Sequence, residues 1–279
     1  MNAIILGLLA ETSLHPGSES SGGVVDLPVA REATTSYPVL VSSGLKGAIR
    51  DAYEAKCKQK GIKGKADLLF GTPDGAGGIS LTDGRLLLLP VRSLNTNYRW
   101  VTCPYILERL QRDLQLAGLK REFPIPQLKE AEAATISGQN IYLEELSFTV
   151  SQDENAITLL ADVIKPLILH QAVQERLLNQ LTIISDDDFK HLASFGLPVN
   201  ARNILDKDTK TSKNLWYEEV IPADSLFYSM LLPRWGKEAL LLELLGIFDD
   251  HPYLQVGGNE TVGQGWCALS CWKGGQADD

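Results

Sequence analysis

Near its start the chain runs Ala3-Ile4-Ile5-Leu6-Gly7-Leu8-Leu9 with no polar interruption. Strict alternation would mark a strand with one wet face, whereas an unbroken apolar run this short marks a buried strand. The run is far below the ~18–20 residues that cross a bilayer, and no other run approaches that length. Without a basic leader or a cleavage site it reads as a strand and not as a signal peptide. The chain is therefore built on a sheet from its first residues. Strand and helix periods then alternate irregularly, which predicts an α+β fold with helices on one face of an antiparallel sheet.

Residues 15–23 are polar and glycine-rich and are expected to form a mobile loop, followed by a short extended piece around 24–29. Ser42 or Ser43 is expected to cap a helix whose apolar residues Leu45, Ala48, Ile49, Ala52 and Tyr53 recur at helical spacing. Lys56, Lys58, Lys60, Lys63 and Lys65 follow as a basic loop, which reads first as a solvated run. Asp83-Gly84 between residues 79–82 and 85–91 predicts a β-hairpin. Pro104 and Gly118 bracket a helix. Residues 141–150 read as one strand, and 157–181 as a helical stretch that Pro166 must kink or divide. The acids Asp186, Asp187 and Asp188 suit a helix start, where they complement the macrodipole. Two extended arms around the polar tip 206–213 predict a projecting hairpin over 195–222. A strand, a Gly-rich loop and a strand close the chain over 253–266. No internal repeat and no linker divides residues 1–279, so a single domain is expected, with 56–140 its insertion-rich region.

The chain is 44% hydrophobic and 22% charged, an ordinary globular balance. Its net charge of -9 argues against indiscriminate nucleic-acid binding. That average hides an asymmetry. Residues 1–130 hold 16 Lys/Arg against 13 Asp/Glu, and residues 131–279 hold 10 against 22. A basic half could follow an RNA backbone while the acidic half faces solvent or a neighbouring subunit. Cys57, Cys103, Cys267 and Cys271 have no zinc-like spacing, and a cytoplasmic protein is expected.

Three constellations carry chemistry. Ser42-Ser43-Gly44-Leu45-Lys46, with Arg50 one turn on, offers free amides at a helix start plus a point charge, which suits phosphate. It lacks Walker spacing, so nucleotide hydrolysis has little support. Gly257-Gly258-Asn259-Glu260-Thr261-Val262-Gly263-Gln264-Gly265 suits either a tight turn or a loop wrapped around a phosphate backbone. His15, Asp26 and the pair Glu218-Glu219 form the third set. RNA cleavage by its own 2′-hydroxyl needs alignment, charge neutralisation at phosphorus and proton transfer. A carboxylate holding a divalent ion and a histidine could supply these, although Asp26 alone could equally be a turn residue.

Together with Pro90-Val91-Arg92-Ser93-Leu94 and Trp100-Val101-Thr102-Cys103-Pro104, these segments resemble the backbone subunits of type III-B (Cmr) CRISPR effector complexes, in the RAMP superfamily. The resemblance implies a modified ferredoxin-like (RRM-like) palm with a thumb hairpin over 195–222. It also implies copies stacked in a helical filament along a CRISPR RNA, beside other Cmr subunits and away from any membrane. Single-stranded target RNA would be cut at regular intervals with a divalent cation (Mg or Mn). Asp26 would be the catalytic aspartate and metal ligand, with His15 and Glu218 assisting. Ser42, Ser43, Lys46 and Arg50 would contact the guide RNA, as would Gly257, Gly258, Asn259, Thr261, Gly263 and Gln264. Two alternatives stand beside this: a guide-binding scaffold that does not cut, and a stand-alone, metal-independent guide-processing RNase.

Overall fold

The computed structural model describes residues 3–18, 25–136, 138 and 140–273. The opening apolar run forms the strand Ile4–Ala10, every residue of which is buried. It pairs antiparallel with Leu226–Pro233 on one side and Trp266–Lys273 on the other. Gly7 is required here, because a Cβ would lie 2.1 Å from the Leu167 carbonyl oxygen of the turn that crosses the strand. From this centre a large sheet extends in both directions. Tyr253–Gln255 lies beyond Trp266–Lys273, while Gly84–Arg92, Tyr98–Thr102, Leu181–Ile184, Glu132–Thr135, Leu146–Gln152 and Ile141–Leu143 follow Leu226–Pro233 in that order. Most pairings are antiparallel. Tyr98–Thr102 with Leu181–Ile184, and Glu132–Thr135 with Leu146–Gln152, are parallel.

Seven α-helices accompany the sheet among the described residues. In Ser42–Gln59, Leu45, Ile49, Tyr53 and Cys57 recur at helical spacing and are buried, as the periodicity requires. Pro104 opens Pro104–Leu116 at a position where its missing N–H costs nothing. Pro166 does divide its stretch: Glu154–Ile164 passes into a short turn, Lys165–Leu167, and then Gln171–Gln180. Asp186–Phe195 has Ser185 as its cap and three acids in its first turn. No helix among the described residues is long and apolar enough to cross a membrane.

Four local expectations are corrected. Asp83-Gly84 is not a hairpin turn, because Ile79–Leu81 and Gly84–Arg92 both pair with Leu226–Pro233 and not with each other. Neither Ser42 nor Ser43 caps the helix. Val41 is the N-cap residue, and the Asp83 carboxylate takes the Ser42 amide at 2.7 Å. Residues 141–150 are two strands, Ile141–Leu143 and Leu146–Gln152, turned at Glu144 in the left-handed region. The 56–65 lysines do not all lie in a loop: Lys56 and Lys58 stand in the last turn of Ser42–Gln59, and all but Lys56 are exposed, as a solvated run should be. Lys56 donates to the His251 carbonyl, Lys60 pairs with Asp250 and Lys65 with Glu243, so part of the charge asymmetry is neutralised within the chain.

Candidate active site and nucleic-acid interface

The strands Val199–Leu205 and Ser212–Glu219 form an antiparallel hairpin matching the one expected over 195–222. Ile204, Leu205 and Leu215 on it are each about half exposed, whereas Glu218 and Glu219 at its root are buried. The root is stitched to the two legs of the N-terminal loop. Leu14 bridges Ile221, and Leu27 exchanges backbone hydrogen bonds with Tyr217 and Glu219. The legs meet each other at Gly17 and Val29. Residues 19–24, where loop mobility is expected, lie outside the described residues.

Asp26 is exposed, and its Oδ2 accepts the Tyr217 amide at 2.8 Å. Its other oxygen has no hydrogen bond or ion pair among the described residues. The carboxylate is thus oriented by the hairpin root and presented outward. Glu219 anchors the returning leg: its Oε2 accepts the Val29 amide at 3.0 Å and its Oε1 pairs with Arg31 at 2.6 Å. Arg31 also donates to the carbonyls of Ser36 and Ala193.

His15 is buried, with Nδ1 2.8 Å from the Glu219 carbonyl oxygen. A carbonyl can only accept, so Nδ1 carries the proton. The His15 carbonyl in turn accepts the Gly258 amide at 2.9 Å. A Cβ on Gly257, which has φ +86°, would lie 2.7 Å from that same oxygen. Gly257 is therefore explained by backbone packing against His15. Glu218 faces the other way: its Oε1 accepts from Asn259 Nδ2 and from Arg202. His15, Asp26, Glu218 and the glycine loop thus gather at one hairpin root.

Ser42, Ser43 and Lys46 stand apart from that root. With Thr72, Asp74 and Arg234 they line a cleft of about 800 Å³. Lys46 has no hydrogen bond or ion pair among the described residues. Arg50, in contrast, is occupied by Glu54, Asp67 and the Gly71 carbonyl.

No group of three His, Cys, Asp or Glu side chains among the described residues is arranged to hold a metal. A hard divalent cation takes about six or more oxygen ligands. Asp26 fits as one such ligand, with RNA and water oxygens needed for the rest. Glu218 Oε1 is already committed to Asn259 and Arg202.

Comparison with known proteins identifies the family of the chain. The RAMP superfamily model matches residues 8–268. The CRISPR system Cmr endoribonuclease Cmr4 of Pyrococcus furiosus is 38% identical over 97% of this chain and 96% of its own length. The chain belongs to the Cmr4 family of RAMP proteins. Oligomeric Cmr4 from Pyrococcus furiosus superposes with a TM-score of 0.78 at 31% identity, covering 99% of this chain and all of that one. A chain of the type III-B Cmr-beta complex bound to cognate target RNA shares the fold, with a TM-score of 0.77 at 22% identity over 96% of each chain.

For this RAMP protein the sequence reading set Glu219 beside Glu218 as one acidic pair and passed over Arg31 and Tyr217 as site-builders. A signal that separates the pair was present. Adjacent residues of a strand point to opposite faces, so Glu218 and Glu219 could not share one task. Nothing local marks Arg31, whose partner is 188 residues away.

Proposed function

We propose that this chain is the repeated subunit of a type III-B ribonucleoprotein. Copies stack in a helical filament along a CRISPR RNA, with other Cmr subunits, inside the cell. Each copy cuts complementary single-stranded RNA beside its hairpin, the thumb of a palm-and-thumb architecture, so that cuts recur at regular intervals. Kinship with a Cmr endoribonuclease supports the reading. The observation that carries it is the outward-facing Asp26 carboxylate, oriented by the Tyr217 amide at the hairpin root.

The guide lies across the cleft of Ser42, Ser43 and Lys46 and along the exposed edge of the 257–264 loop. Arg50, held by its own acids, stands outside this contact. The half-exposed apolar residues of the hairpin suit insertion between bases of a guide–target duplex. In the reaction a target 2′-hydroxyl gives up its proton to water as its oxygen bonds to the adjacent phosphorus, and the phosphorus–5′-oxygen bond breaks with the leaving oxygen taking a proton from water. The products are a 2′,3′-cyclic phosphate and a 5′-hydroxyl end. A divalent cation held by Asp26 would supply positive charge to the phosphate oxygens as the bond forms. Asp26 binds and orients at that point. His15 works from inside: its ring holds the Glu219 carbonyl and its own carbonyl holds the glycine loop.

The test compares Asp26→Ala and Asp26→Asn in the guide-loaded complex, measuring target cutting and guide retention separately. Both variants should stop cutting while the guide stays bound, although Asn can still accept from Tyr217. Cutting near the wild-type rate by Asp26→Asn would overturn the assignment. A wild-type complex that binds target without cutting would favour the scaffold reading.

A further inference from the structure

We propose that Asn259 and Glu218 form a positioning latch for Asp26, and that Glu218 acts through this latch and not on the RNA. The inference rests on the reading of Asp26 as the cutting residue. Its starting point is where the Glu218 carboxylate goes. The side chain is only 4% exposed, and its Oε1 accepts from both Asn259 Nδ2 and Arg202. Only Oε1 is so committed, but with 4% of the side chain exposed the carboxylate as a whole is enclosed by the protein.

Asn259 is the centre of the glycine loop. Its backbone is left-handed, with φ +64°, a conformation that Asn tolerates better than most residues. Its carbonyl accepts the amides of Val262 and Gln264. Its side-chain amide has two hydrogens, and both are spent, one on Glu218 Oε1 and one on Gln264 Oε1 at 2.9 Å. The side chain expected to reach RNA is turned inward, onto the hairpin root.

The residue before Glu218 is the one that orients Asp26, through the Tyr217 amide. A hydrogen bond therefore ties the loop to Glu218, and one residue of strand backbone carries that tie to the amide that holds the cutting carboxylate. Removing Asn259 leaves the buried Glu218 carboxylate with Arg202 alone, and removing Glu218 leaves one hydrogen of the half-buried Asn259 amide without its acceptor, so in either case the local structure relaxes. The root strand then no longer fixes the direction of Asp26, and misplacement of a catalytic group by about 1 Å is enough to slow chemistry strongly.

The experiment uses the guide-loaded complex with Glu218→Ala, Glu218→Gln, Asn259→Gly and the double variant Glu218→Ala/Asn259→Gly. Gly at 259 keeps the left-handed backbone while removing the latch. Glu218→Ala and Asn259→Gly should each slow cutting by ~10- to 100-fold, the range of a lost charge-assisted hydrogen bond. The double variant should be no worse than Glu218→Ala by more than ~3-fold, since that single change already removes the latch. Glu218→Gln keeps an oxygen for Asn259 and should restore cutting to within ~10-fold of wild type. Independently of activity, hydrogen exchange at the Tyr217 amide should quicken in the two loss variants and not in Glu218→Gln. The proposal is overturned if Glu218→Gln is as inactive as Asp26→Ala with Tyr217 exchange unchanged, which would put the carboxylate on the RNA. Wild-type cutting by Asn259→Gly would overturn it equally. If the wild-type complex cuts nothing, the functional reading fails, while the exchange measurement still decides whether the latch exists.

Discussion

Glu219 and Glu218 are neighbours in sequence and opposite in task, and replacing Glu219 tests the scaffold beneath Asp26. Glu219→Ala removes two acceptors at once. The Val29 amide, on a residue only 1% exposed, loses its partner. A buried orphan of this kind costs about 1–3 kcal/mol. Arg31 loses its carboxylate but keeps two carbonyls, and its side chain is 21% exposed. Water can therefore reach part of the guanidinium, and the loss falls below the ~3–5 kcal/mol of a fully buried broken pair. Together the two effects should destabilise the chain by about 3 kcal/mol. With a urea slope of about 3 kcal/mol per molar, the unfolding midpoint should fall by about 1 M. Exchange at the Val29 amide should quicken more than exchange in the strand Ile4–Ala10. Glu219→Gln, which keeps one acceptor, should fall between. A midpoint shift under about 0.2 M for Glu219→Ala would refute the view that this residue anchors the Asp26 leg.

Three further outcomes are expected. Asp83→Ala takes the acceptor from the Ser42 amide and should lower stability by about 1 kcal/mol, as loss of a helix cap does, read in thermal unfolding. Asp206 at the hairpin tip is held below the usual carboxylate range by its hydrogen bond from Lys213, then by the amides of Thr209 and Asp208. Its folded value is depressed, so its contribution is present above the unfolded value of about 3.9 and is lost as pH falls through the folded one. An NMR titration should find the Asp206 carboxyl below about 3.9, moving up in Lys213→Ala; titration at the free value would contradict the pairing. EDTA should stop target cutting while the guide stays bound, and cutting that persists in EDTA would remove the cation from the account.

What could be read from the sequence was what is local. Pro104 and Pro166 act within a few residues of themselves, and the helices they open and divide lie where the pattern puts them. The Asp83-Gly84 signal failed because a turn dipeptide says that the chain bends, not which strand its flanks will pair with. The cap of Ser42–Gln59 was misassigned for a related reason, since its acceptor comes from 41 residues away. At the hairpin root the residue types were legible, but their division of labour was not. Asp26, Glu218 and Glu219 are equally acidic, and only the fold exposes the first, ties the second to Asn259 and the third to Arg31.

The central claim is that each copy of this chain cuts with its own Asp26. The direct measurement is target cutting by complexes assembled from wild-type and Asp26→Ala chains mixed in known proportion. The yield at every cut position should fall in direct proportion to the share of the variant, with the spacing between cuts unchanged. A yield falling with the square of the wild-type share, or one insensitive to the variant, would contradict a self-contained site on each subunit.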